Sequence, residues 1–167
     1  MEFENVSISY GKQVILSNLN LNIPSGKITG ILGPNGCGKT TMLLAAQGLL
    51  PIKGLLWVKG REVGSYNRIE LARVMGVVPQ IHQLSFPCTV LDMVLTGRAA
   101  YISYLPQKKD YQVAHESLEL TGIQHLSDKV YTRISGGERQ LVMIARALCQ
   151  EPEIILFDEP TSFLDLR

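Results

Sequence analysis

Eight consecutive residues, Gly33-Pro34-Asn35-Gly36-Cys37-Gly38-Lys39-Thr40, have the types and spacing that hold a phosphate chain. The glycines let the backbone curl so that successive N–H groups turn inward. A helix opening directly behind them adds its positive end. The backbone of Asn35, Gly36, Cys37 and Gly38, continued into Thr41, is therefore expected to line an anion site. The Lys39 ammonium would reach the β- and γ-phosphates, and the Thr40 hydroxyl would ligate Mg²⁺. A glycine-rich turn that merely precedes a helix is the bland alternative. Lysine and threonine in the required places, between a strand and a helix, set it aside.

A second group lies far along the chain. Ile154-Ile155-Leu156-Phe157 is an apolar run that delivers Asp158 and Glu159 at its end. In open α/β sheets ligands bind at the carboxyl ends of strands. Asp158 is expected to hold Mg²⁺ through water, and Glu159 to orient and deprotonate an attacking water. Alone, the pair would read as a solvated acidic turn before Pro160. Together with the glycine loop, it defines a P-loop nucleotide hydrolase or kinase.

The segment Ile134-Ser135-Gly136-Gly137-Glu138-Arg139-Gln140 decides between these. Ser135 and the N–H groups of Gly136 and Gly137 open a helix, and so form a second anion site able to clamp a γ-phosphate. A helix cap with two flexible glycines is the plain alternative. The segment resembles the LSGGQ signature of ABC ATPases, with Ile134 for leucine and Glu138 for glutamine. Gln80 stands where that family has its Q-loop glutamine, Tyr10 where it stacks an aromatic ring on adenine, and Ser162-Phe163-Leu164-Asp165 resembles its D-loop.

The resemblance covers essentially the whole chain and implies ATP and Mg²⁺ as ligands. It implies catalytic roles for Glu159, Lys39 and Gln80, and metal contacts for Thr40, Gln80 and Asp158. Nucleotide contacts would come from Tyr10, from the loop residues 35–41, and from Ser135 and Gly137 of a second copy. The working unit would be a head-to-tail dimer of nucleotide-binding subunits. It would sit peripherally on the cytoplasmic side of the cell membrane, against integral membrane permease subunits, and act indirectly on a substrate-binding protein. Gly76 to Gln80, Val94 to Arg98 and Pro160 to Leu166 look like ATPases of prokaryotic importers for iron-siderophores, haem, cobalamin and molybdate.

The sequence departs from the family in one respect. The family's switch histidine lies beyond the D-loop, whereas this sequence ends at Arg167, and His82, His115 and His125 are in other places. A C-terminal portion is therefore expected to be missing, with lower stability, exposed or shared apolar surface and weak turnover as consequences. Two other readings follow from the same residues. One is a soluble ABC ATPase acting on nucleic acid or ribosomes, and the other is an ATP-binding module without productive hydrolysis. A small GTPase is disfavoured, because no guanine-reading Asn-Lys-x-Asp pattern occurs.

Several elements must position these groups. Phe3 to Tyr10 and Val14 to Ile23 alternate as strands around a Gly11-Lys12 turn, with Leu19, Leu21 and Ile23 on one face and Asn18, Asn20 and Asn22 on the other. Ile28 to Leu32 reads as a buried strand and Lys39 to Leu50 as a helix stopped by Pro51. Leu55 to Val58 and Val74 to Val78 read as strands. Thr89 caps a helix running to about Gly97, and Asp110 to Thr121 forms another, closed by Gly122. Ser135 caps a helix with Leu141, Ile144, Ala145 and Leu148 on its apolar face.

The fold class is α/β: a P-loop NTPase, RecA-like core with an N-terminal antiparallel β part and an inserted α-helical subdomain. One domain spans 1–167, with 1–84 and 135–167 as core and about 85–134 as the helical subdomain.

Composition narrows the classes further. With 167 residues, 46% hydrophobic, the chain can bury a core. A net charge of +1 offers no basic face, so no nucleic-acid partner is expected. The most apolar stretch, Thr89 to Leu105, is broken by Asp92 and Arg98 and bounded by Pro106, so it does not read as a membrane span. Cys37, Cys88 and Cys149 have neither paired nor metal-ligand spacing, which suits a reducing compartment. Cys37 reads as a small filler within the glycine loop.

Overall fold

A computed structural model of the chain describes residues 1–80 and 87–159, in two compact units divided after Leu71. The D-loop segment Ser162 to Asp165 lies outside the described residues.

In the first unit, the alternating N-terminal runs form the strands β1 (Glu2–Tyr10) and β2 (Gln13–Asn22). Gly11, at φ 58°, takes the left-handed conformation of the turn between them. With β3 (Lys53–Val58) and the two-residue β4 (Arg61–Glu62) they make an antiparallel sheet of order β2-β1-β3-β4. Phe3, Val6 and Ile8 of β1 are buried with Leu56 and Val58 of β3. The step from Phe3 to Val6 breaks strict alternation, because β1 is irregular at Asn5 (φ 50°). The irregularity is stitched to β2: the Asn5 N–H donates to Asn20 Oδ1 (2.9 Å), and Asn20 Nδ2 donates to Asn5 Oδ1 (3.1 Å).

Ile28 to Leu32 is not a strand. It carries no ladder, and Ile28 and Leu32 are almost fully exposed (105% and 96%). An apolar run becomes a strand only when a neighbour takes up its N–H and C=O groups, and no strand of the four-stranded sheet pairs with it. The following helix, α1 (Lys39–Ala46), stops earlier than Pro51 would impose. Gly48, at φ 65°, ends it: its N–H donates to Ala45 O and that of Leu49 to Leu44 O.

Asn67 opens α2 (Arg68–Val74), a helix that periodicity does not reveal. Its signal is the Asn67/Glu70 pair, which exchange side-chain-to-backbone bonds of 2.9 and 3.0 Å.

The second unit holds a parallel pair, β5 (Met75–Val78) and β6 (Ile154–Phe157), in the register Met75↔Ile154 to Val78↔Phe157. Thr89 caps α3 (Val90–Leu95) with a reciprocal bond to Asp92, and the chain then tightens into a 3₁₀ turn over Thr96–Ala100. Next come α4 (Lys108–Leu120), closed by Gly122 at φ 72°, and α5 (Gly136–Cys149), capped by Ser135. One apolar core joins Val78, α3, α4 and α5 through residues such as Val90, Val94, Leu118, Val142 and Met143.

Arg98 is the buried polar hub of this unit. Its Nε donates to Asp110 (3.1 Å), its Nη1 to Glu151 (2.6 Å) and to the Cys149 carbonyl (3.1 Å), and it lies 3.9 Å from the Tyr101 ring centre. Next to it, Gly97 approaches α5 so closely that a Cβ there would lie 2.2 Å from the Arg146 carbonyl oxygen. Gly97→Ala is therefore expected to cost about 1–3 kcal/mol through forced separation of the two segments. A urea or thermal unfolding midpoint unchanged from the parent would contradict this packing.

Candidate functional site

The glycine loop takes the shape its residues dictate. Gly36 and Gly38 sit at φ 79° and 100°, in the left-handed region where a side chain is strained. A Cβ on Gly38 would also come 2.9 Å from Leu16 Cδ2 and 3.2 Å from Ile15 Cγ2, so β2 supports the loop directly. Curling brings the two ends of the loop together: a Cβ on Gly33 would meet Cys37 Sγ at 2.8 Å, and the Cys37 N–H donates to Pro34 O (3.3 Å). Cys37 is exposed.

The Lys39 ammonium donates to the carbonyls of Gly33 (2.9 Å) and Pro34 (3.0 Å). The only full positive charge of the loop is thereby held across it. α1 opens on Gly38, so no side chain caps its positive end. Tyr10 ends β1 and is about half exposed. Its register partner Gln13 lies two residues before Ile15, one of the residues behind the loop.

In the second unit, parallel pairing brings the carboxyl ends of β5 and β6 to one place. The ladder continues one residue past β6, where the Asp158 N–H donates to Val78 O (3.0 Å). Gln80 lies two residues past β5, and its Nε2 donates to Glu159 Oε2 at 2.5 Å. Residues 79 apart in sequence are thus joined. The Gln80 amide nitrogen is engaged by this bond, and a carboxamide binds a hard metal ion through its oxygen. Glu159 has φ 48°, a left-handed backbone for a non-glycine residue, which costs about 1–2 kcal/mol. Such strain concentrates at functional positions. The Thr40 hydroxyl, the Asp158 carboxylate and the Gln80 carbonyl are hard oxygen donors of the type Mg²⁺ takes.

The Ser135 turn is more constrained than a glycine-flanked cap requires. Ser135 Oγ accepts from the Glu138 N–H (3.2 Å), while Glu138 Oε2 accepts from both the Ser135 N–H and its hydroxyl, each at 2.7 Å. Those bonds, the hydroxyl's first, hold the Glu138 carboxyl below its ordinary pKa, so it is ionised at neutral pH. The S-x-x-E spacing is a readable signal for this reciprocal cap. Cys149 is chemically quiet by contrast, its thiol pushed up to about 11 by burial.

With this geometry in place, comparison with known proteins identifies the class. A family profile described as ABC transporter matches residues 16–162, and the chain belongs to that family. Its fold is the P-loop NTPase fold of ATP-binding cassettes. The dimeric post-hydrolysis structure of the ATP-binding cassette MJ0796, bound to ADP and Pi, matches with a TM-score of 0.84 at 31% identity, over 99% of this chain and 76% of that one.

The ferric enterobactin transport ATP-binding protein FepC of Escherichia coli (strain K12) is 37% identical over 98% of this chain and 61% of its own length. The molybdate import ATP-binding protein MolC of Haemophilus influenzae is 39% identical, over 99% of this chain and 62% of its own length. The chain thus spans about three fifths of these relatives. Among the described residues no helix is long and apolar enough to cross a membrane.

Proposed function

We propose that this chain binds and hydrolyses Mg-ATP as the nucleotide-binding subunit of an ABC importer. The observation that carries the proposal is the meeting of Asp158, Glu159 and Gln80 at the carboxyl ends of β5 and β6, in a chain that also folds a glycine loop around Lys39.

In this reading the loop amides and Lys39 hold the β- and γ-phosphates, and Tyr10 stacks on the adenine through its exposed ring. Bound Mg²⁺, held by Thr40, Asp158 and Gln80, would neutralise charge developing on the phosphates. Glu159 takes the proton of the attacking water, and its bond to Gln80 fixes the carboxylate's direction. Ser135 and Gly137 of a second copy close over the γ-phosphate. Each patch is used twice in such a two-fold dimer. Affinity for ATP in the closed state and for products in the open state then makes hydrolysis an opening step.

The core, 1–84 and 135–167, would do this chemistry. The helical subdomain, about 85–134, would pass the motion to permease subunits, which would hold the chain on the cytoplasmic face of the membrane. The likeness to FepC and MolC, a ferric enterobactin and a molybdate transport protein by name, supports a metal-chelate or oxyanion importer, of the iron-siderophore, haem, cobalamin or molybdate kind. A solute-binding protein would then act upstream.

Equilibrium binding of Mg-ATP and phosphate release, measured on one sample, test the proposal. Binding with release is the expected result. Binding without release leaves an ATP-binding module. Salt-sensitive association with DNA or ribosomes, in place of co-purification with a permease, would turn the reading to a soluble ABC ATPase.

A further inference from the structure

The donors of the Ser135 turn are already engaged by a negative charge of the same chain. A serine hydroxyl has one proton to give. Here that proton goes to Glu138 Oε2 at 2.7 Å, and the Ser135 N–H goes to the same oxygen. The two bonds hold the carboxyl's pKa below its ordinary value. A γ-phosphate arriving at Ser135 must therefore take the hydroxyl proton from a rival anion and then stand beside that anion.

We infer that Glu138 is a built-in competitor of the γ-phosphate, and so sets how readily two copies close on ATP. The inference rests on the reading of Ser135 as a phosphate clamp. Glutamine at this position would keep the cap, because its side-chain oxygen still accepts from the Ser135 N–H. It would remove the charge and weaken the claim on the hydroxyl. In a two-fold dimer the gain counts twice. The carboxylate and the phosphate would face each other across less than one Debye length at physiological salt, roughly 8 Å, so their repulsion persists there and weakens only as salt nears about 1 M, where that length is about 3 Å. A purely structural cap would show neither nucleotide selectivity nor this salt dependence.

Self-association of the chain can be followed by sedimentation with ATP and with ADP, at low and high salt. Glu159→Gln serves as a common background, so that hydrolysis does not reopen the dimer. Glu138→Gln is expected to tighten ATP-driven association about tenfold. The gain should shrink at high salt and leave association in ADP unchanged. Glu138→Ala, which removes the acceptor as well, should shift ATP-driven association in the same direction and serves if the glutamine variant melts early. Ser135→Ala should weaken association.

Glu138 variants equal to the parent, with Ser135→Ala weakened, would overturn the competitor role and leave the clamp standing. Equal tightening in ADP, or a gain indifferent to salt, would also overturn it. Ser135→Ala equal to the parent, or no ATP-driven association in any chain, would remove the clamp itself and this inference with it.

Discussion

Glu159→Gln is expected to cut phosphate release about a thousandfold while leaving Mg-ATP affinity near that of the parent, since a positioned base contributes roughly 10²–10⁴. The geometry makes this substitution unusually clean. Gln80 donates to Glu159 Oε2, and a glutamine oxygen at 159 accepts the same bond, so the direction of the side chain survives while its basicity disappears. The backbone at φ 48° is unchanged by the swap, so strain is common to both proteins. Removing one negative charge beside Asp158 should, if anything, hold the nucleotide longer. Single-turnover phosphate release and equilibrium nucleotide binding on the same preparation separate the two effects. A rate close to that of the parent would remove Glu159 from the role of base. Equal loss of binding and rate would make it a ligand instead.

The parts legible in the sequence were those whose chemistry is local. The glycine loop, the Thr89 and Ser135 caps, and the turn at Gly11 each depend on residues within about one turn of each other, and each is where its residues require. The two faces of β2 were also legible: Leu19 and Leu21 are half-buried, whereas Asn18, Asn20 and Asn22 are exposed.

What escaped depends on distant partners. Ile28 to Leu32 has strand composition but meets no strand of the first unit's sheet, so composition misled. The bond from Gln80 to Glu159 depends on two parallel strands finding register across 79 positions. Arg98 looked like a charge interrupting an apolar run. It is nearly buried (3% exposed), because Asp110 and Glu151 arrive from elsewhere to neutralise it. The irregularity at Asn5 escaped for a similar reason, since its support comes from Asn20 on the neighbouring strand.

Lys39→Ala is the second large effect expected, and it tests the other half of the site. The ammonium spans the loop mouth through Gly33 O and Pro34 O, bonds that a triphosphate with its own charge would replace. Without the ammonium, neither the β- nor the γ-phosphate has its charge-assisted hydrogen bond, so ATP affinity should fall about a hundredfold. The two carbonyl bonds are exposed, so unfolding free energy should change by no more than about 0.5 kcal/mol. AMP has neither distal phosphate, so its binding should be nearly unaffected, and the ratio of ATP to AMP affinity becomes the readout. Lys39→Arg keeps the charge but carries a planar, bulkier fork into a loop tight enough to bring Gly33 against Cys37, so it should rescue little. A ratio preserved in Lys39→Ala would mean that the loop amides alone select the triphosphate. A ratio restored by arginine would mean that charge matters and shape does not.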